Sequence, residues 1–451
     1  MPDPLPRVDE LRRLLSHGIR TAAEITSVLA ISQPTLSRLV RSAPELFTNF
    51  RVAGERTPKY GLLRQLPGGL GPRQSVYQIN EAGAIGPFAG IEFLGGGATL
   101  ELSDRGNVLY DGLPPYMHFA SPSGFLGRQV ARSVAMDKQF PESLRDWSDE
   151  HRIAYLFSRG LNLPGNLVYG DASLQREMEF RELPPVPRDE KLAYYESMAN
   201  QLKDASYGSS AGGEQPKFLS FTQDVGHVIV KFAKRGGRMA DLLLLEHIAQ
   251  QSLSLADVPA ASTTVLMSER YVFLEVQRFD RVGRYGRIGM LSAGAIDDER
   301  FGRRDTWSQF ATRCEQAGVL SEREAAKIHV MAAFSELIGN GDRHFENISL
   351  LLDASGRFTR VAPAYDMLPM RYAPLGGDVD PDLLPVTPGV GTIGARPVVW
   401  ERAFRAAEDF WGRVHRSESP VAIPEAFRAL ARVNLDVATR FVAPLLPSTR
   451  R

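Results

Sequence analysis

The chain has 451 residues, 43% of them apolar and 24% charged, with a formal net charge of zero. That length allows roughly two to four domains with a sizeable core. The single cysteine, Cys314, excludes an internal disulfide and a cysteine-built zinc site, and no run approaches the ~18 apolar residues of a membrane span.

The N-terminus also lacks the basic start and apolar run of a signal peptide. The expectation is a soluble cytoplasmic protein with no membrane partner. Cys314 falls in a helical pattern with Phe310 and Ala317 and reads as a small core residue. The zero net charge conceals an asymmetry. Residues 1–75 carry eleven Lys and Arg against six Asp and Glu, a balance of +5 that the remainder offsets with −5. A basic segment on an acidic chain suggests a nucleic-acid module joined to something else.

Val8, Leu11, Leu14 and Leu15 recur at helical spacing. Thr21 with Glu24 three residues on predicts a capping box opening a second helix over 22–30. Pro34 then predicts the first turn of a third helix whose buried face is Leu36, Leu39 and Val40. Its outer face carries Gln33, Thr35, Ser37, Arg38 and Arg41, side chains able to reach base edges and phosphates of duplex DNA. Two β-prone runs, 46–52 and 59–63, follow as a wing. This segment resembles the winged helix-turn-helix domains of bacterial regulators. A small helical dimerisation domain is the alternative.

Residues 66–75 are rich in Gly and Pro and read as a linker. Short strands are expected over 76–79, 90–94, 98–102 and 108–110. Gly95-Gly96-Gly97 lacks a following helix and lysine, so it reads as a hairpin turn and not a phosphate loop. Residues 165–170 read as another strand bounded by glycines.

The run 209–217, Ser-Ser-Ala-Gly-Gly-Glu-Gln-Pro-Lys, is a loop of small residues that lets backbone N–H groups approach phosphates. Strands are expected at 218–221 and 227–232, the second carrying Lys231. A lysine on a strand after such a loop is how a kinase holds the α- and β-phosphates of ATP. The helix over 241–251 supplies two acidic candidates to pair with it, Asp241 and Glu246. After a hairpin over 265–268 and 271–276, the backbone of Glu275–Gln277 falls where an interlobe hinge would meet adenine. No Walker A pattern occurs, which excludes a P-loop NTPase.

Helical patterns at 307–317 and 323–338 lead to Gly339, a helix-ending glycine. Then comes Gly339-Asn-Gly-Asp-Arg-His-Phe-Glu-Asn347, a β-hairpin over 348–361, and Ala364-Tyr-Asp-Met367. An Asp and an Asn five apart followed by a second Asp is the phosphotransferase pattern: Asp342 as catalytic base, Asn347 and Asp366 as Mg²⁺ ligands. His344 reads as a loop-ordering residue. The loop-rich stretch 373–398 could form an active-site edge, and helices follow over 401–445.

The pieces "SSAGGEQPK", "VIVKF", "VQRFDR", "NGDRHFEN" and "YDMLP" resemble the HipA family of bacterial serine/threonine kinase toxins. The resemblance covers about residues 200–370 closely and 76–200 loosely. It implies an α+β, two-lobed protein-kinase-like fold preceded here by a small winged helix-turn-helix. The expected division is 1–70, 76–190 (a HipA-like N-terminal subdomain), 191–280 (N-lobe) and 281–451 (C-lobe). It also implies ATP and Mg²⁺ as cofactors, with Gly213, Gln215 and Lys217 in the nucleotide loop beside Lys231. Ser210 matches a serine that family members autophosphorylate, with Ser209 adjacent as a rival. The family usually relies on a separate DNA-binding antitoxin; a chain carrying its own helix-turn-helix resembles the YjjJ-like subgroup. Implied partners are double-stranded DNA, a second copy of the chain on that DNA, and a protein substrate, which in the family is a protein of translation. Competing readings are a transcription regulator that only senses nucleotide, a lipid or small-molecule kinase, and a DNA-directed nuclease.

Overall fold

Residues 4–136, 140–205, 215–375 and 379–446 are described by the computed structural model. They form two compact units. The first runs to Ser123 and resumes over Gly127–Leu183; the second holds Gly124–Leu126 and the described residues from Pro184 onward. Among the described residues no helix is long and apolar enough to cross a membrane.

The first unit opens with α1 (Pro4–Ser16), α2 (Ala22–Leu29) and α3 (Gln33–Ser42). The expected capping box starts α2: Thr21 Oγ1 accepts from the Glu24 N–H, and the Glu24 carboxylate accepts from the Thr21 N–H at 2.6 Å. Helix α3 begins a residue before its proline, because Ser32 caps it by accepting from the Thr35 N–H. Pro34 then sits in the first turn, where a missing N–H costs nothing. Leu36, Leu39 and Val40 pack with Leu11, Leu15, Ile25 and Phe47. Strands β1 (Arg20–Thr21), β2 (Phe47–Phe50) and β3 (Lys59–Leu62) make an antiparallel sheet in the order β1-β3-β2.

A five-stranded sheet follows: β4 (Arg73–Ile79), β5 (Ile85–Phe93), β6 (Thr99–Leu102), β7 (Val108–Tyr110) and later β8 (Leu167–Tyr169), ordered β7-β6-β5-β4-β8. Helices α4 (Pro115–Ala120), α5 (Gly124–Val134, from Gly127 onward), α6 (Asp149–Arg159) and α7 (Gly170–Glu182) complete the unit. Met117, Ala131 and Ile153–Phe157 bury against Val76, Ile91 and Phe93.

The reading of residues 66–75 as a linker is corrected. Leu66 is buried, Pro67–Gly69 form a tight turn, and Arg73 already belongs to β4 and pairs with Glu92 at 2.8 Å. The two sheets share an apolar cluster of Phe50, Leu63, Leu94 and Leu100. Backbone bonds join them too, Arg64 N–H to Phe93 O at 2.8 Å and Ala53 N–H to Asn107 O at 2.8 Å. The glycines at 95–97 are the hairpin turn expected. A Cβ on Gly95 would lie 2.5 Å from the Leu15 carbonyl that ends α1, so only glycine fits.

The second unit starts with α8 (Lys191–Ala205) and a four-stranded antiparallel sheet of β9 (Lys217–Thr222), β10 (Gly226–Lys234), β11 (Thr263–Met267) and β12 (Tyr271–Gln277), ordered β11-β12-β10-β9. Helix α9 (Arg238–Ser252) lies between β10 and β11 in sequence. On one sheet face Tyr195 and Ala199 of α8 meet Val228, Val230, Phe232 and Phe273. On the other, Leu243 of α9 meets Leu274 and Val276. Because strand side chains alternate faces, Lys231, in register with Leu274 and Lys217, falls on the α9 face.

Short strands β13 (Arg281–Val282) and β14 (Gly286–Arg287) lead into a larger, mainly helical part. It comprises β15 (Gly289–Ser292), α10 (Ala293–Arg300), α11 (Trp307–Gln316), α12 (Glu322–Ile338), β16 (Ser349–Leu352), β17 (Phe358–Val361), α13 (Pro397–Arg416) and α14 (Glu425–Val442). Strands β15, β16 and β17 form one sheet in that order. A single core, including Trp307, Phe310, Phe334, Trp400, Phe410 and Trp411, joins these helices to α9. Cys314 is buried in it, as its helical pattern suggested, and burial pushes its thiol up to about 12.

Candidate active site

Strand β10 carries Lys231 into a site it shares with two carboxylates. Its Nζ donates to Glu246 Oε1 of α9 at 2.6 Å and also bonds Asp366. Lys231 is 5% exposed and Glu246 1%. Burial by itself would drive the ammonium toward neutrality, but the Asp366 and Glu246 charges outweigh it and raise its pKa. Burial likewise opposes ionisation of Asp366, yet Lys231 and then Lys217 hold its carboxyl well below the usual carboxylate range. Glu246 is pushed up by burial, against the pull of Lys231. Of the two acids offered by α9, Glu246 is the partner. Asp241 lies near Arg238, and burial pushes its carboxyl up to about 6.

The second half of the site hangs from the end of α12. Gly339 caps that helix at φ +77, its N–H donating to Ser335 O. Asn340, 2% exposed, turns back and accepts from the Asp342 N–H at 3.1 Å. The Asn347 side chain donates from Nδ2 to the Asp342 carbonyl at 3.0 Å, closing the loop on itself. The following hairpin returns the chain to Tyr365, whose hydroxyl donates to Glu346 O at 2.8 Å. Asp366 itself is left-handed, φ +53, a conformation that Asp tolerates better than most residues. A cavity of about 500 Å³ opens beside Asp342, lined also by Thr306, Trp307, Glu336, His344 and Thr392.

Other predicted residues fall as follows. Lys217 shares the face of Lys231. Gln215 donates from Nε2 to the Phe232 carbonyl. Glu275 pairs in register with Val230 and so takes the opposite face from Lys231. There its buried carboxylate accepts from Tyr195 Oη at 2.6 Å and meets Lys191 at 3.1 Å. Gln277 donates its N–H to Ser262 O at 2.9 Å. Gly213, Ser209 and Ser210 lie outside the described residues. In the other unit Gln33, Arg38 and Arg41 are exposed and Thr35 and Ser37 half-buried along α3.

The chemistry of the donor set suits ATP and Mg²⁺. Asp366 is held ionised. The Nδ2 of Asn347 is committed to a carbonyl, which leaves Oδ1 as the atom for a hard cation. Among the described residues no three His, Cys, Asp or Glu side chains cluster as a metal cage. A cation here would rest on this pair and take its remaining oxygens from phosphates and water.

Two family models match this chain: the YjjJ-like toxin middle domain over residues 70–178 and the HipA-like C-terminal domain over 209–398. Toxin YjjJ of Escherichia coli (strain K12) is 34% identical over 438 residues, spanning 94% of this chain and 96% of that protein. The chain belongs to the YjjJ-like toxins of the HipA family. A solved complex of HipA from Shewanella oneidensis MR-1 with HipB and operator DNA shares the fold. Its TM-score is 0.51 at 14% identity, covering 81% of this chain and 97% of that one.

In this YjjJ-like chain Lys231, Glu246, Asp342, Asn347 and Asp366 all fall inside the HipA-like C-terminal match, and the α3 residues lie outside both matches. Sequence reasoning missed Asn340, Tyr365, Arg304 and Glu346. Asn340 and Glu346 stand inside the quoted loop motif, and Tyr365 precedes Asp366, so proximity was a usable signal for them. Arg304 is 42 residues from its partner Glu346 and gave none.

Proposed function

We propose that this chain is an ATP- and Mg²⁺-dependent serine/threonine protein kinase of toxin type that carries its own DNA-binding domain. One observation carries the enzymatic reading. The buried Lys231 joins Glu246 to Asp366, and Asp342 and Asn347 stand together on the adjoining loop. Lys231 binds the phosphates, Glu246 orients it, and Asn347 with Asp366 holds Mg²⁺. Asp342 accepts the proton of the incoming hydroxyl. Nothing comparable supports the nucleotide-sensing alternative, which needs no base at all. Gln215 and Lys217 belong to the nucleotide loop in this reading, with Gly213 and the autophosphorylated Ser210. The Glu275–Gln277 contribution is limited to backbone atoms at the adenine edge.

The DNA-binding reading is supported by α2, the short turn and α3, by the β2–β3 hairpin in the position of a wing, and by the +5 balance of residues 1–75. Gln33, Thr35, Ser37, Arg38 and Arg41 are the proposed contacts, and two copies would read two half-sites on a duplex. The solved relative likewise sits with operator DNA, there with HipB. The division at residues 70, 190 and 280 stays a functional one, because the first two segments share a core.

Incubation of the full chain with γ-labelled ATP, Mg²⁺ and a cell lysate tests the enzymatic reading. Labelled Ser or Thr in the chain or in a lysate protein, absent from Asp342→Asn, is the expected result. Label confined to lipid or small molecules, or no label at all, overturns it.

A further inference from the structure

A chain of charged groups runs behind Asp342 that the kinase pattern does not require. His344 lies between two carboxylates, Nε2 at 3.6 Å from Asp342 Oδ1 and Nδ1 at 3.3 Å from Glu346 Oε2. Glu346 is in turn gripped by Arg304, Nη1 to Oε1 at 2.5 Å. Arg304 is fixed by the fork of Asp298, with bonds of 2.8 and 2.6 Å.

Three features show that this arrangement is built at a cost. Arg304 takes a left-handed φ of +43, unfavourable for a residue with a Cβ. The fully buried Asp297 enforces that turn by accepting from the N–H groups of Arg303 and Arg304 at 2.7 and 2.8 Å. Gly294 leaves the room: a Cβ there would run into Glu346 Oε1 and both terminal nitrogens of Arg304. Surface ion pairs rarely contribute enough to account for such preparation.

We propose that Arg304 and Glu346 are positioning residues of the phosphotransfer centre, holding the His344 ring against Asp342 so that the carboxylate is aimed and charge-balanced when the hydroxyl arrives. This rests on the kinase reading above. The groups facing His344 are Asp342 and Glu346 from its own loop and Asp366 from the segment after the hairpin; Arg304 reaches it only through Glu346. Arg343 is turned away onto Glu336 at 2.5 Å. The hydrogen bond to Glu346, then the charges of Asp342 and Glu346, raise the His344 pKa from its ordinary value, and that same bond from His344, with the bond from Arg304 behind it, takes Glu346 down to about 2.

The test uses the full chain with histidine labelled for NMR, His344 assigned through His344→Asn. Glu346→Gln keeps the shape and removes the charge. It should displace the His344 ring signals at a fixed pH and reduce kcat roughly tenfold or more, with KM for ATP within about twofold. Arg304→Ala should lower kcat likewise, and Arg304→Lys should recover part of it. Unchanged His344 ring signals in Glu346→Gln, a parental kcat in that variant, or no recovery in Arg304→Lys overturns the positioning role. The ring signals need no activity. A parent and Asp342→Asn that are equally inert, with the His344 signals displaced in Glu346→Gln, would indict the kinase reading and spare the network.

Discussion

Lys231 and Glu246 form a buried ion pair, Nζ to Oε1 at 2.6 Å, between a strand and the helix that covers it. Glu246 keeps its second carboxylate oxygen buried and without a hydrogen-bond partner among the described residues. Such a pair is costly to break from one side, because the survivor is a buried, uncompensated charge.

Lys231→Met should therefore destabilise the fold by about 3–5 kcal/mol and abolish ATP binding. Lys231→Met with Glu246→Leu should recover most of the stability and none of the binding. Urea melts and nucleotide titration on the same samples check both halves. Restored ATP affinity in the double variant would mean that Lys231 serves the fold alone.

Asp342→Asn should eliminate phosphoryl transfer while leaving ATP affinity within about threefold, since in the proposed function this side chain accepts a proton and holds no phosphate. Autophosphorylation and equilibrium nucleotide binding measure the two separately. Transfer at the parental rate would remove Asp342 from the chemistry.

Asp366→Ala should weaken nucleotide binding in the presence of Mg²⁺ more than in its absence, because in the proposed function a cation ligand is lost. The variant also frees Lys231 from one carboxylate, so metal-free affinity should hold or rise. Equal losses with and without Mg²⁺ would make Asp366 a structural residue.

Arg38→Ala with Arg41→Ala should weaken duplex binding and flatten its salt dependence by roughly one unit of slope per lost phosphate contact. Both side chains are exposed opposite Leu36, Leu39 and Val40, so the fold should survive. The measurement belongs on the full chain, because the β2–β3 hairpin shares its core with the next sheet. Binding identical to the parent at low and high salt would assign the segment to protein contacts.

His329 is 2% exposed, with neither ring nitrogen hydrogen-bonded among the described residues. Burial, helped by Arg396, lowers its pKa from 6.5 to about 4. Here the unfolded chain binds the extra proton, so stability should be lost as pH falls from about 6.5 toward 4. Replacing His329 with Gln should flatten that slope. Thermal melts between pH 7.5 and 4.5 that decline identically for parent and variant would place acid sensitivity elsewhere.

The sequence by itself determined the pieces whose physics is local. Thr21 and Glu24 announced their capping box, Gly339 its helix end, and the alternation around Lys231 its strand. The order Asp342, Asn347, Asp366 was legible because the phosphotransferase pattern constrains spacing along a single loop and hairpin. Tertiary packing decided what no window of residues contains. Both Asp241 and Glu246 sit on α9, and only the packing of that helix on the sheet brings Glu246 to Lys231. Glu275 differs from its neighbours by one step of strand register, which sends it to the α8 face and into contact with Tyr195. Residues 66–75 have the composition of a linker, yet Leu66 and Arg73 are bound by residues that follow later in the chain. Arg304 reaches Glu346 across 42 residues, and Lys231 reaches Asp366 across 135. Those pairings depend on how whole elements pack, which propensity and spacing do not encode.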